Sequence, residues 1–430
     1  MLPETAGDAL AASARRRWLV AGFPALRHRN FRLFVVGQGI SLIGFWMQSV
    51  AQGWLVYRLS GSTLALGVVA FAGYLPILCL APLAGVIADL LPRHRVLLVT
   101  QSCLTLLALA LGALVATGAV TVKLVVLFAG AVGLISALDV PARQSFLVEM
   151  VGAGDLPNAI ALNSSIFNGA RVVGPALAGG VVAAVGEAPC FFLNAATYFA
   201  VLLALVRMRL PRAEATRRPA PQLGADFRSG LRYVWGRPVL RNLLLLLGAV
   251  CGLGVQYNML MPAFAKTVFG AGAESYGLLL TAQGLGSVAS SLQLATRRYS
   301  RLQHRRNLLL GLATFALAVL GLASSRSLPV ALVCQTFAGY GMVRYLATTN
   351  TLLQLFVDEA YRGRMMGLHT VMFLGTQPLG GLVLGGLAQR FGAPAAALLS
   401  GGVSLAAAGW LAFRLRRLAR RERAAGVPAP

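Results

Sequence analysis

The stretch Met208–Arg237, MRLPRAEATRRPAPQLGADFRSGLRYVWGR, decides the fold. Its Arg, Pro, Ala and Gln break an apolar rhythm in the manner of a linker. Six apolar runs precede it and six follow it. Each run holds about 20 mostly apolar residues, enough to cross a bilayer as helix. They begin near Leu33, Leu64, Val96, Val122, Asn158 and Pro189, then near Val239, Tyr276, Asn307, Leu328, Gly363 and Pro394. The pattern predicts an all-α integral membrane protein, twelve transmembrane helices in two pseudo-symmetric six-helix bundles. The boundaries read as a basic N-terminal tail over 1–30, one bundle over 31–207, a linker over 208–237, a second bundle over 238–417 and a tail over 418–430. A chain that is 57% hydrophobic and 12% charged, with a mean hydropathy of +0.72, does not describe a soluble domain.

Charge sets the threading. Nearly all of the 38 Lys and Arg residues fall in alternate gaps and in the two tails. Arg58, Lys123, Lys266, Arg326 and Arg390 occupy the opposite gaps, and Arg171 and Arg344 sit inside apolar runs. By the excess of cations in cytoplasmic loops, the chain is expected to be a multi-pass protein of the bacterial inner (cytoplasmic) membrane with both termini in the cytoplasm. A net charge of +25 suggests nucleic acid in a soluble protein. Here the cations flank spans, where anionic lipid headgroups account for them, so the expected partners are membrane lipid and no nucleic acid. Residues 1–30 are polar and basic and do not read as a signal peptide; Trp18–Leu26 reads as an interfacial segment. The cysteines at 79, 103, 190, 251 and 334 show no metal spacing and read as packing residues, so no metal site and no cofactor are expected.

The two halves echo each other. Gly174–Gly180 reads GPALAGG, and Gly380–Gly386, in the fifth helix of the second half, reads GGLVLGG. Pro92–Leu98 (PRHRVLL) pairs with Gln303–Leu309 (QHRRNLL), each following the second helix of its half. Parallel six-helix halves with a site between them are a transporter plan.

Three stretches carry a resemblance: ALRHRNFRLFVVGQGISLIGFWMQSVAQGWLVYRLSGSTLALG, PLAGVIADLLPRHRVLL, and DVPARQSFLVEMV running into NAIALNSSIFNGARVVGPALAGG. With them the chain resembles the major facilitator superfamily, in the branch of the enterobactin exporter and the macrolide-efflux proteins, over roughly Leu26 to Arg417. The resemblance implies a secondary active exporter working by alternating access and coupled to protons. Its expected cargo is a small amphipathic molecule such as a siderophore, a macrolide-like drug or another secondary metabolite, and it is expected to act as a monomer. A lipid or lysophospholipid flippase of the same fold is the alternative.

Several residues fit such a reading. Gly85, Asp89, Arg93 and Arg95 look like the superfamily's signature loop, which latches the cytoplasmic ends of the bundles; Leu90 stands where a basic residue is usual. Asp139 and Arg143, four residues apart, share a helix face. Asp139 reads either as a switch between Arg143 and the Arg93/Arg95 loop or as a static ion pair. Gly174, Pro175, Gly179 and Gly180 resemble the antiporter signature of superfamily exporters, with one extra residue before the final glycine pair. Arg171 and Arg344 are charges within apolar runs, where an arginine costs about 3 kcal/mol or more unless it faces water or a partner. They read either as substrate contacts for anionic or catecholate oxygens or as cations satisfied by polar neighbours. Gln48, Gln52, Asn168, Gln256, Tyr257 and Gln377 supply hydrogen-bonding groups for a cavity or for helix contacts, and Trp46 an aromatic face. For coupling, Asp139, Asp89, His369 or the substrate itself is left to carry the proton. Phosphate loops of G-x-x-x-x-G-K-[ST] form, H-E-x-x-H and G-x-S-x-G elbows are all missing, so an enzyme is not expected.

Overall fold

The computed structural model describes residues 23–209, 223–297 and 299–424, with the side chains of 81–90, 223–227, 301–302 and 415–424 left outside that description. Among the described residues every regular element is helical. Nine helical stretches are long and apolar enough to cross a membrane, and they make up most of twelve passes. One of them, Val122–Val185, has 64 residues. At 1.5 Å per residue that is about 96 Å, some three bilayer cores long. It breaks at Gly152, whose φ of 71° suits a glycine. Met150 and Val151 on one side of the break share an apolar cluster with Ala159 on the other, so the chain folds back into two spans. Two further helices, Ala273–Thr296 and Leu328–Phe356, are long enough but less apolar.

The spans are numbered α1 (Arg29–Ser60), α2 (Thr63–Leu90), α3 (Arg93–Ala116), α4 (122–151), α5 (153–185) and α6 (Ala188–Val206) in the first bundle. The second holds α7 (Pro238–Val268), α8 (Ala273–Thr296), α9 (Arg301–Ser324), α10 (Leu328–Phe356), α11 (Glu359–Phe391) and α12 (Ala393–Ala424). The reason α8 and α10 are less apolar is visible in their packing. Gln283, Ser287, Ser290, Gln335, Thr348 and Thr349 are each at most 2% exposed, turned into protein and away from lipid.

Helix α7 is not a regular helix. Residues 250–254 and 264–268 form π-turns, and 255–260 form a 3₁₀ turn between them. Residues 371–375 make a π-turn in α11. Such irregularities frequently mark functional positions.

Ion pairs tie the helix ends. At the end away from the termini, Arg58 closing α1 makes a two-pronged pair with Glu187 at the start of α6, at 2.6 and 3.1 Å. At the terminal end, His28 meets Asp155 at 2.8 Å, and Arg237 grips Asp358 before α11. The short helix Leu223–Trp235 docks there too. Tyr233 stacks on Tyr361 with centroids 4.0 Å apart and 8° between planes, and its hydroxyl accepts the Asp358 N–H at 2.9 Å. Since such an aromatic pair contributes about 1 kcal/mol, Tyr233→Ala is expected to speed amide hydrogen exchange over 228–235 roughly fivefold. Tyr233→Phe keeps the stack but loses the hydroxyl that accepts the Asp358 N–H, and a smaller acceleration is expected in the same measurement.

Candidate functional site

The two bundles meet along two seams, α5 against α8 and α2 against α11, and glycine lets each close. A Cβ on Gly277 of α8 would lie 2.6 Å from the Pro175 carbonyl oxygen and 2.8 Å from the Gly179 Cα, and one on Gly284 would lie 2.9 Å from the Arg171 carbonyl oxygen. Across the other seam, a Cβ on Gly67 would lie 2.6 Å from the Gly381 carbonyl oxygen and one on Gly385 2.8 Å from the Thr63 carbonyl oxygen. Thr63 adds hydrogen bonds over this seam, from its N–H to Gln389 Oε1 and from its hydroxyl to the Gly385 carbonyl, both at 3.0 Å.

The sequence echo thus has one structural meaning in both halves. Gly174 of α5 packs under α1 against Trp46 and the Ile43 carbonyl, while Gly179 packs on α8 of the other bundle. Gly380 of α11 packs on Gly252 of α7, while Gly385 packs on α2 of the other bundle. Gly180 meets nothing within 4 Å and takes no part in the crossing.

Toward the terminal end the seams part. On the α5 face that meets α8, Ser164 and Ala161 are exposed. A Cβ on Gly363 or Gly367 of α11 would meet nothing within 4 Å. The molecule is closed at the end away from the termini and open between the bundles at the terminal end.

Arg171 sits where closed seam becomes open cleft. Its Nη2 donates to Gln283 Oε1 of α8 at 3.1 Å, a bond between bundles. Gln283 Nε2 donates in turn to Asn258 Oδ1 at 2.8 Å and to the Tyr257 hydroxyl at 3.1 Å. That hydroxyl donates to Gln335 Oε1 at 2.8 Å. Aligned donors polarise one another, so the guanidinium charge is spread into a chain reaching through α8, α7 and α10. The guanidinium also lies 5.6 Å from the centroid of Trp46, which has Phe45 and Phe167 edge-on at 5.7 and 5.8 Å. The Trp46 Nε1 donor is buried with no partner among the described residues.

The other residues predicted for the site divide differently. Arg344 is held inside the second bundle. Its Nη1 donates to Gln293 and Tyr340 and its Nη2 to Asn307, all within that bundle, while its Nε is buried with no partner among the described residues. Gln48 accepts from Asn194 of α6 at 2.6 Å. Asn168, Gln256 and Gln377 donate to backbone carbonyls of their own helices. Tyr257 is fully buried behind Gln283, and Gln52 is half-buried on α1. What the sequence did not single out is Gln283 as the partner that carries Arg171 across the seam, or Phe167 beside Trp46. Gln283 is one of many polar residues within the apolar runs, and seam pairing depends on how two bundles dock.

Of the predicted inner gate, the end at Asp139 is described. Asp139 is 5% exposed and accepts from Thr100 Oγ1 at 2.7 Å, Gln101 Nε2 at 2.8 Å and Arg143 Nε at 3.0 Å. Arg143 also donates to Gln38 of α1. Arg93 pairs with Glu149 of α4, and Arg95 is exposed. Gly85 and Asp89 lie in 81–90, outside the described side chains. Groups of His, Cys, Asp and Glu able to hold a metal are not found among the described residues.

A family model described as transmembrane secretion effector matches residues 20–428. The chain belongs to this family of major facilitator transporters. Its relatives include the multidrug efflux pump Tap of Mycolicibacterium fortuitum, 28% identical with 83% of this chain and 87% of the relative covered. The staphyloferrin A transporter of Staphylococcus aureus is 28% identical, with 84% and 90% covered. The enterobactin exporter EntS of Citrobacter koseri is 27% identical, with 90% and 92% covered. In fold the chain resembles the nucleoside transporter NupG, with a TM-score of 0.68 at 15% identity over 89% of this chain and 98% of that one. A bacterial homologue of the human lysosomal transporter Spinster, in an inward-facing and occupied conformation, gives 0.66 at 15% identity over 90% and 96%. The chain is a multi-pass membrane transporter, not an enzyme.

Proposed function

We propose that this protein is a secondary active exporter of small amphipathic molecules in the bacterial inner membrane, with both termini in the cytoplasm. The observation that carries the reading is the Arg171–Gln283 bond at the point where the closed seam opens into a cleft. With the termini inside, the open side faces the cytoplasm and loads substrate there. Rocking of the bundles then closes the terminal end and parts the glycine seams. The bond joins residues of opposite bundles, so it breaks in that movement, and a substrate replacing Gln283 on Arg171 offsets the loss.

The site chemistry favours a cargo with anionic or electron-rich oxygens beside an aromatic or apolar body. Arg171 supplies the charge, Trp46 a ring face and a free indole N–H, and Phe45 and Phe167 extend the apolar wall. Tap, the staphyloferrin A transporter and the enterobactin exporter fit an outward direction. Protons are the coupling ion in this reading, with Asp139, Asp89 and His369 as candidate carriers.

Accumulation in inverted vesicles, with and without an imposed pH gradient, tests it. A carboxylate or catecholate siderophore is expected to accumulate only with the gradient; movement of lysophospholipid alone would sink the exporter reading in favour of a flippase. In the same assay Arg171→Ala is expected to lower transport tenfold or more, since a hydrogen bond to a charged group contributes about 1.5–3 kcal/mol. Arg171→Lys keeps the charge but not the fork and should retain part of the rate. Unchanged transport in Arg171→Ala, at equal expression, would remove this residue from the site.

A further inference from the structure

Arg171 is approached from a second helix of its own bundle. Along α2, Gly67, Ala70, Tyr74 and Leu78 recur at helical spacing and share one face. Three of them touch α11: a Cβ on Gly67 would lie 2.6 Å from the Gly381 carbonyl oxygen, one on Gly381 3.7 Å from the Ala70 Cβ, and one on Gly375 2.6 Å from the Leu78 Cδ1. Tyr74 stands between these contacts, on a face turned to protein rather than to lipid, and is still 37% exposed. That exposure is to the cleft, because the Tyr74 hydroxyl lies within electrostatic reach of the Arg171 guanidinium on α5. The contact at Leu78 is made with the π-turn 371–375 of α11, an irregularity of the kind that marks functional positions.

Both groups keep hydrogen-bonding capacity. Among the described residues Arg171 donates to protein through Nη2 alone, and the Tyr74 hydroxyl has no hydrogen-bond partner. A neutral phenol carries one proton, and beside a guanidinium it donates that proton to the acceptor the cation attracts. The two donors then converge on a single oxygen. Hydrogen bonds to an ionised oxygen are roughly twice as strong as those to a neutral one, so the pair selects a carboxylate or phenolate over an ester or ether. Arg171 and Tyr74 belong to one bundle, so rocking leaves their spacing intact while it breaks the bond to Gln283. Trp46, 5.6 Å from the guanidinium, sets a ring face beside the held oxygen.

We propose that Tyr74 is a specificity-determining residue of the transport site, its hydroxyl and the Arg171 guanidinium together holding one ionised oxygen of the cargo. The cargo in this statement rests on the exporter reading, and a test in two arms keeps the two apart. In inverted vesicles Tyr74→Phe, which keeps the ring, is expected to raise the KM for a carboxylate siderophore about tenfold with little change in kcat. An unchanged KM would overturn the proposal and leave the exporter reading standing. The second arm needs no cargo. In a full-length background with the five cysteines replaced by alanine, Tyr74→Cys is treated in the same vesicles, whose outer face is the cytoplasmic one. Two methanethiosulfonate reagents are compared, one bearing a sulfonate and one a trimethylammonium group, each rate being divided by that with a free thiol in solution. The sulfonate reagent is expected to react about tenfold faster, and Arg171→Gln to remove the preference. Equal rates for the two reagents, or a preference that survives Arg171→Gln, would overturn the proposal even where wild type moves the siderophore.

Discussion

Asp139→Ala is expected to lower stability by about 3–5 kcal/mol, because it strands the Arg143 guanidinium without its acid inside the first bundle. The Arg143 side chain is 18% exposed and that of Asp139 7%. Removing the carboxylate also frees donors of Thr100 and Gln101, both at most 5% exposed. The loss is read as a lower midpoint of thermal unfolding in detergent. Asp139→Leu/Arg143→Met should recover most of it, since a buried pair replaced as a unit by apolar residues is often neutral. Arg237→Ala provides the contrast. Its side chain is 45% exposed and that of its partner Asp358 53%, so about 1 kcal/mol or less is expected. A midpoint for Asp139→Ala within a degree of wild type would show that this node does not hold the bundle together.

Gly277→Leu is expected to shift the molecule away from the state closed at the far end by roughly thirtyfold. The Cβ it adds would stand 2.6 Å from the Pro175 carbonyl oxygen, and backbone on both sides of the seam leaves nothing flexible to give way. Overpacking of this kind costs about 1–3 kcal/mol, and here only the closed state bears it. Cysteines at Thr63 and Gln389, on the second seam, report the closure through a short bifunctional thiol reagent. Their cross-linking yield should fall sharply in Gly277→Leu. Gly180→Leu, in the same motif but with nothing within 4 Å, should leave it unchanged. Equal yields in the two variants would mean that the α5–α8 crossing does not limit closure.

These two sites were legible to different degrees. The pairing of Asp139 with Arg143 follows from their four-residue spacing on one helix, a local property. Its partners Thr100, Gln101 and Gln38 come from other helices, and nothing local selects them. Arg93 shows the same limit. As a basic loop residue it was expected to serve Asp89 or Asp139; the fold also carries Glu149, at the end of α4, to it. The glycine motifs were read more fully, since a small residue repeated at equal spacing in both halves states where helices approach. The two buried arginines looked alike in sequence and part company in the structure: one crosses the seam and the other is absorbed within a bundle.

Hydropathy, charge placement and an internal repeat determined by themselves that this chain is a twelve-helix membrane protein of two related halves. These properties depend on neighbours along the chain and on the contrast between lipid and water, both written in linear order. The tertiary structure alone decided which polar groups meet: Arg171 with Gln283, Arg344 with Asn307, Arg93 with Glu149. In a bilayer, helices associate through close packing and hydrogen bonds between them rather than through the burial of apolar surface. That pairing turns on helix rotation and bundle docking, and neither is encoded in any one stretch of sequence.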